Sequence, residues 1–159
     1  MLSKFEISPA ICKSLEDKEW LHSKLKQGTP PRELLGFSNA VMDEFYRTAC
    51  VLYDEKQYEE AADAFLFLVT LDSGHYDYWI GLGAATQRCE EYELAIDAYE
   101  MAAICEIENP IPYFYLAKCL FAIHDRASAL QAIELALEYS EGDLHRQAEE
   151  AKKMLIREG

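Results

Sequence analysis

The chain has 159 residues, half of them hydrophobic and 12% aromatic, with a formal net charge of −14 at pH 7. That is enough chain and enough apolar surface for one domain with its own core, and it argues against a disordered segment. The acidity excludes a phosphate-backbone partner, because nucleic-acid binding needs a basic footprint. Five cysteines, Cys12, Cys50, Cys89, Cys105 and Cys119, are odd in number and scattered without a CxxC pair, the usage of a reducing compartment rather than a disulfide framework. No charged-then-apolar leader opens the sequence, and no apolar run reaches the ~20 residues of a spanning helix, so an intracellular protein without membrane insertion is expected.

In chain order, Ser8-Pro9 predicts a helix start, a hydroxyl N-cap followed by proline at the first helical position. Ile11, Leu15, Trp20, Leu21 and Leu25 then form one amphipathic stripe that runs to Gly28, a residue suited to close a helix. Thr29-Pro30-Pro31 breaks the chain and opens a short turn through Leu35, and Ser38 is the N-cap of the next helix. The stripe of Leu15, Trp20, Leu21 and Leu25 has two readings: it folds over the first repeat as a cap, or it meets a second copy across a two-fold axis.

From residue 38 the sequence repeats. Tyr58-Glu-Glu-Ala61, Tyr92-Glu-Leu-Ala95 and Arg126-Ala-Ser-Ala129 stand 34 residues apart, from 58 to 92 to 126, the period of the tetratricopeptide helix pair. Other columns keep the register: Ala49, Gly83 and Ala117 are small; Phe65, Tyr99 and Ile133 are large and apolar; Leu68, Ala102 and Ala136 are apolar. Helices are predicted over residues 38–54, 58–71, 75–88, 92–106, 110–123 and 126–139. The small columns let paired helices approach and the large column fills the space between them. Residues 143–157, with Leu144, Ala148, Ala151, Met154 and Leu155 at helical spacing, read as a capping helix. The expected fold is all-α, a tetratricopeptide-repeat right-handed superhelix of three helix-turn-helix repeats with an N-terminal helix and a C-terminal capping helix. Its parts are residues 1–37 (an N-terminal segment for capping or dimerisation), 38–141 (the repeats) and 142–159 (the cap).

Chemistry finds no foothold. His22, His75, His124 and His145 are far apart and form no HExxH or Cys/His ligand spacing, so no catalytic residue, metal site or cofactor is predicted. Glu59-Glu60 and Glu90-Glu91 fall at helix starts, where acids complement the helix dipole. Polypeptide binding is the stronger reading. The first helix of each pair lines the concave face, and its inward column steps by three or four residues. That column takes Tyr46, Cys50 and Tyr53 from the first pair, Ile80, Ala84, Gln87 and Arg88 from the second, and Phe114, Lys118 and Phe121 from the third. It combines aromatic shelves, a small floor and polar donors able to hold the carbonyls of an extended segment.

Four stretches carry a resemblance: Leu34-Leu-Gly-Phe-Ser38, Tyr46-Arg-Thr-Ala-Cys-Val-Leu-Tyr53 with Gln57-Tyr-Glu-Glu-Ala-Ala62, Tyr78-Trp-Ile-Gly-Leu-Gly-Ala84, and Glu108-Asn-Pro-Ile-Pro-Tyr-Phe-Tyr-Leu-Ala-Lys-Cys119. Over about residues 28–140 the chain resembles the class II chaperones of bacterial type III secretion, small acidic tetratricopeptide proteins that hold translocator subunits before export. The resemblance implies a cytoplasmic, non-enzymatic chaperone, homodimeric through its N-terminal helix when free of client. The client segment would lie on positions matching Tyr46, Tyr53, Tyr78, Phe114 and Tyr115. The alternative is a generic tetratricopeptide adaptor that scaffolds a complex around another partner.

Overall fold

The computed structural model describes residues 6–157, and every regular element among them is a helix. Two short helices, α1 (Pro9–Glu16) and α2 (Lys18–Lys26), precede one turn of helix, α3 (Pro31–Leu34). Three antiparallel pairs come next: α4 (Asn39–Asp54) with α5 (Tyr58–Leu71), α6 (Tyr76–Arg88) with α7 (Tyr92–Cys105), and α8 (Pro110–Ala122) with α9 (Arg126–Tyr139). The last helix, α10 (Gly142–Arg157), packs on α9.

The helix starts are capped as their residue types dictate. Ser8 Oγ accepts from Ile11 N, Ser38 Oγ from Val41 N, Asn109 Oδ1 from Ile111 N, and Asp125 Oδ1 from Ser128 N. Within each pair the turn is the same device three times. Lys56, Glu90 and His124 take left-handed φ values of 62°, 61° and 65°. The next residue's N–H reaches back to close the turn, Gln57 to Leu52 O, Glu91 to Thr86 O and Asp125 to Leu120 O, at 2.9, 3.0 and 2.9 Å. This is the Schellman closure, which satisfies carbonyls left over at a helix end.

The small and the apolar repeat columns are buried. Ala61, Ala95 and Ala129 have no exposed surface, and Phe65, Tyr99 and Ile133 fill the space between helices. The core runs in two overlapping clusters, one from α4 to α7 and one from α7 to α10, so each pair covers the apolar face of the next. Ala148 of α10 is fully buried and Leu144, Ala151 and Leu155 pack beside it. Met154, another apolar position of this helix, is 58% exposed.

The N-terminal stripe does not form the one helix expected from Pro9 to Gly28. Asp17, in extended conformation, accepts the N–H groups of Glu19 and Trp20 at 3.0 and 3.1 Å and so caps a new helix. An aspartate that satisfies two orphan donors competes well with continuing the helix. Neither α1 nor α2 contains a buried residue, and they pack mainly against each other.

Candidate functional site

The first helices of the pairs, α4, α6 and α8, line a concave face that holds three linked cavities. A small one of 160 Å³ lies between α4 and α6, on Tyr46, Cys50, Tyr53, Asp54, Phe65, Asp77, Ile80, Gly81 and Ala84. It shares Tyr53, Ile80 and Ala84 with a cavity of 450 Å³ bounded also by Gln87, Arg88, Tyr99, Ile111, Tyr115 and Lys118. Lys118 leads into a third, of 190 Å³, formed by Phe114, Ala117, Phe121, Ile133, Ala151, Met154 and Leu155. The repeat geometry thus brings Tyr46, Cys50, Tyr53, Ile80, Ala84, Gln87, Arg88, Tyr115, Lys118 and Phe121 to one continuous surface.

Tyr78 and Phe114 are placed differently from the expectation. Both are only 4% exposed. Tyr78 lines none of the three cavities; it stacks on His75 with ring centroids 4.0 Å apart and meets Tyr46 at 5.7 Å. It belongs to the core between α4, α5 and α6, because position 78 points at the preceding pair rather than across the concavity. Phe114 belongs to the core of the last two repeats and gives the third cavity part of its wall. Neither ring is free to act as a shelf in this conformation.

Other residues of the surface were not marked by the inward column. Tyr99 comes from a second helix, α7, and reaches the floor because Gly83 leaves room for its ring. Its hydroxyl donates to Gln87 Oε1 at 2.7 Å and holds that amide in place. Asp54 lies one position beyond Tyr53 and Asp77 one position before Tyr78, and Ile111 sits in the first turn of α8. The 34-residue register would have found Tyr99, since it marked that column as filling the space behind small residues.

The groove is furnished with neutral donors. Burial pushes the Tyr46 phenol well up, and its side-chain hydrogen bond with Cys50 adds to the effect. Burial likewise raises the Cys50 thiol and the Tyr53 phenol, while Arg88 pulls Tyr53 in the opposite direction. These groups therefore stay protonated and can donate to a carbonyl. Arg88 Nη2 donates to Tyr58 Oη at 2.6 Å and stacks over that ring. Lys118 Nζ stands 4.5 Å from the Phe114 ring centroid. Both cations are thereby positioned at the rim by aromatic faces.

Chemistry-bearing side chains elsewhere serve the fold. Ser140 Oγ lies 3.1 Å from His145 Nδ1, and His145 Nε2 lies 3.8 Å from Glu149 Oε1. The order resembles a nucleophile–base–acid chain, yet Ser140 is 7% exposed and lines none of the cavities, so the contact ties the start of α10 to α9. Among the described residues no three His, Cys, Asp or Glu side chains converge on a possible metal position, and no helix is long and apolar enough to cross a membrane.

Comparison with known proteins agrees with this geometry. The tetratricopeptide repeat family matches residues 42–73. The low calcium response locus protein H of Yersinia pestis is 35% identical over 120 residues, 74% of this chain and 70% of its own length. The chaperone protein SicA of Salmonella typhimurium is 27% identical over 125 residues, 79% of this chain and 76% of its own. The Yersinia enterocolitica type III secretion chaperone SycD, crystallised with a peptide of the translocator YopD, superposes with a TM-score of 0.73 at 26% identity, covering 77% of this chain and 98% of that one. SycD has also been crystallised as an alternative dimer. With the Yersinia pestis relative at this identity and coverage, and with a fold that superposes on SycD, the chain belongs to the class II, tetratricopeptide-repeat chaperones of type III secretion.

Proposed function

We propose that this protein is a cytoplasmic chaperone that holds an extended segment of a hydrophobic translocator in its concave groove, keeping the client soluble and competent for secretion. The observation that carries the reading is the continuous surface formed by α4, α6 and α8, apolar along its floor and bordered by protonated phenols, an amide, two cations and the carboxylates Asp54 and Asp77. A segment laid there drops alternate side chains into cavities while its carbonyls meet Gln87, Arg88 and Lys118. SycD with its YopD peptide provides the parallel for such an occupant. A translocator has apolar helices that aggregate when uncovered, and a groove that keeps one segment extended opposes both collapse and premature assembly. The function needs no turnover, so the protein acts by binding alone.

Co-expression with the translocators encoded by the same organism tests the reading: a soluble 1:1 complex is expected, and translocators that remain insoluble and unbound would refute it. When free of client, the chain forms a homodimer through Leu15, Trp20, Leu21 and Leu25 of α1 and α2. The support is that no residue of these helices is fully buried within the chain, that Leu25 is exposed, and that SycD forms dimers.

A further inference from the structure

On the face opposite the concave groove, α5 and α7 flank a cavity of 540 Å³. Its floor is Trp79, Leu82, Thr86 and Cys89, the side of α6 turned away from Ile80, Ala84 and Gln87. It shares no lining residue with the three concave cavities. Leu66 of α5 and Leu94 of α7 stand on its walls, 51% and 54% exposed, large apolar side chains left to water. Exposed carboxylates accompany them on both sides, Glu59 and Asp63 on one wall and Glu91 and Asp97 on the other. Among the described residues no cation lines this cavity.

The 34-residue register shows why the outer groove opens here. Thr86 and Cys89 correspond to Leu120 and Ile123 one repeat on, so shorter side chains leave the floor low. Leu66 and Leu94 correspond to Glu100 and Ser128, so the next interval between second helices lacks both leucines. Asp63 and Asp97 are equivalent positions and stand at one level on the two walls. Glu59 lies one turn before Asp63 and Leu66 one turn after it, while Leu94 lies one turn before Asp97. The groove therefore alternates acidic and apolar levels along its length. Its negative field reaches the floor: burial raises the Cys89 thiol, and Glu91, Glu59, Glu60 and Asp63 add to the rise.

We propose that this outer groove docks an amphipathic helix of a partner protein, leucine-like on its inner face and carrying Lys or Arg along both flanks. Such a helix lies between α5 and α7 as helices pack into grooves, its apolar stripe against Leu66, Leu94 and Trp79. Its flanking cations meet Glu59 and Asp63 on one side and Glu91 and Asp97 on the other. The sign of the charge is what the groove selects, because an acidic helix with the same stripe meets carboxylates on both walls. Each wall helix has 14 residues, so a partner helix of that length, about 21 Å, spans the groove. The site lies on the outer side of α6 and leaves the concave surface open, so the partner engages the chain with its client in place.

Three synthetic peptides of that length, titrated calorimetrically into the full-length chain, test this. The first has leucines at helical spacing with lysines on both flanks, the second has the same composition in scrambled order, and the third has glutamates for the lysines. The first should bind 1:1, the second about tenfold more weakly for want of a stripe, and the third not measurably. Variants locate the site. L66Q/L94Q, which changes only exposed side chains, should weaken the first peptide about tenfold, and D63N/D97N about fivefold, the scale of partly exposed charge pairs. Cys89→Ile, which raises the floor and leaves both leucines, should weaken it likewise and stands in if L66Q/L94Q loses helical content. A scrambled peptide that binds as tightly as the first, or equal binding to native and variant chains, would overturn the inference, since net acidity alone then holds the peptide. Absence of binding by the first peptide overturns it as well. Loss of a co-expressed translocator from L66Q/L94Q would assign the groove to the client, and loss of a dimer in sedimentation velocity would assign it to a second copy; either result overturns the inference.

Discussion

Gly83 of α6 lies against the ring of Tyr99 of α7, so closely that a Cβ added to the glycine would stand 2.7 Å from Cε1 of the tyrosine. Gly81, on the same helix, stands in the same way against the ring of Phe65 in the preceding pair. The middle helix of the groove is thus wedged between two aromatic rings of one repeat column, and its glycines set how near they come. Tyr99 cannot swing aside, because its hydroxyl is held by Gln87 and its ring stacks on Tyr115 at 5.7 Å. Gly83→Ala should therefore destabilise the protein by about 1–3 kcal/mol, the cost of overpacking a fixed site, measured by urea unfolding. Tyr99→Leu in the Gly83→Ala background should cost less than in the native one, since the smaller side chain removes the clash. Simple additivity of the two would show that ring and glycine are not in conflict.

Phe114 and Tyr115 are adjacent in sequence and opposite in role. Phe114 is 4% exposed within the last core cluster, whereas Tyr115 is 38% exposed on the wall of the largest groove cavity. Phe114→Ala should cost about 3–5 kcal/mol of stability, as for a buried aromatic. Tyr115→Ala should leave the unfolding midpoint within about 0.5 kcal/mol of native and weaken retention of a co-expressed translocator, as loss of an aromatic anchor does. The pair separates groove from core: equal losses of stability in both would refute the division.

Much of this was legible in the chain because burial repeats with the period. Once Ala61, Ala95 and Ala129 fall in one column, the helices, their pairing and the inward face are set by geometry alone. Neighbouring columns are harder, because a side chain on a boundary chooses between core and groove by contacts from the next repeat. Tyr78 went to the core for that reason, and Met154 to the surface. The break at Asp17 was hidden because one apolar stripe spans two helices and only the local capping of Glu19 and Trp20 interrupts it. The turn column Lys56, Glu90 and His124 was equally quiet, since three unrelated side chains share a backbone conformation and no chemistry.

That turn column gives a stability prediction with a definite sign. Glu90 holds φ at 61°, a region where a Cβ crowds the following carbonyl. Its side chain is exposed, so little packing is lost on removal. Glu90→Gly should stabilise the protein by about 0.5–1 kcal/mol, read from the urea midpoint, because glycine is the favoured residue at a helix end of this kind. Glu90→Ala, which keeps the Cβ, should bring no such gain.

Cys119 provides a test of the core through pH. Burial pushes its thiol up to about 11 from 9.0, with Lys118 opposing. The folded value lies above the unfolded one, so the unfolded chain loses this proton first. The contribution to stability is present in full below pH 9.0 and is lost as the pH rises through about 11. Unfolding midpoints measured across that window should fall less steeply for Cys119→Ala than for the native protein. Thiol labelling offers a second reading: Cys12 is exposed and should react at once, while Cys119 should react at the rate of unfolding. Immediate labelling of Cys119 would contradict its burial.

The homodimer proposed for the free protein would rest on its N-terminal helices. Leu25 is 56% exposed, and neither α1 nor α2 has a buried residue, although their stripe carries Leu15, Trp20 and Leu21 as well. Water is a poor partner for such a stripe, so a second copy of it gains by covering it. Leu21→Glu with Leu25→Glu should shift the client-free protein from dimer to monomer in sedimentation velocity. The helical signal and the unfolding midpoint of the repeats should be retained, because the substituted side chains support no part of the repeat core. Client retention separates the stripe from the groove: it should persist in the monomeric variant, whose concave surface lies wholly on α4 to α10. A variant that stays dimeric would place the interface elsewhere, and one that loses its repeats would show that the stripe is a cap, the other reading open to the sequence.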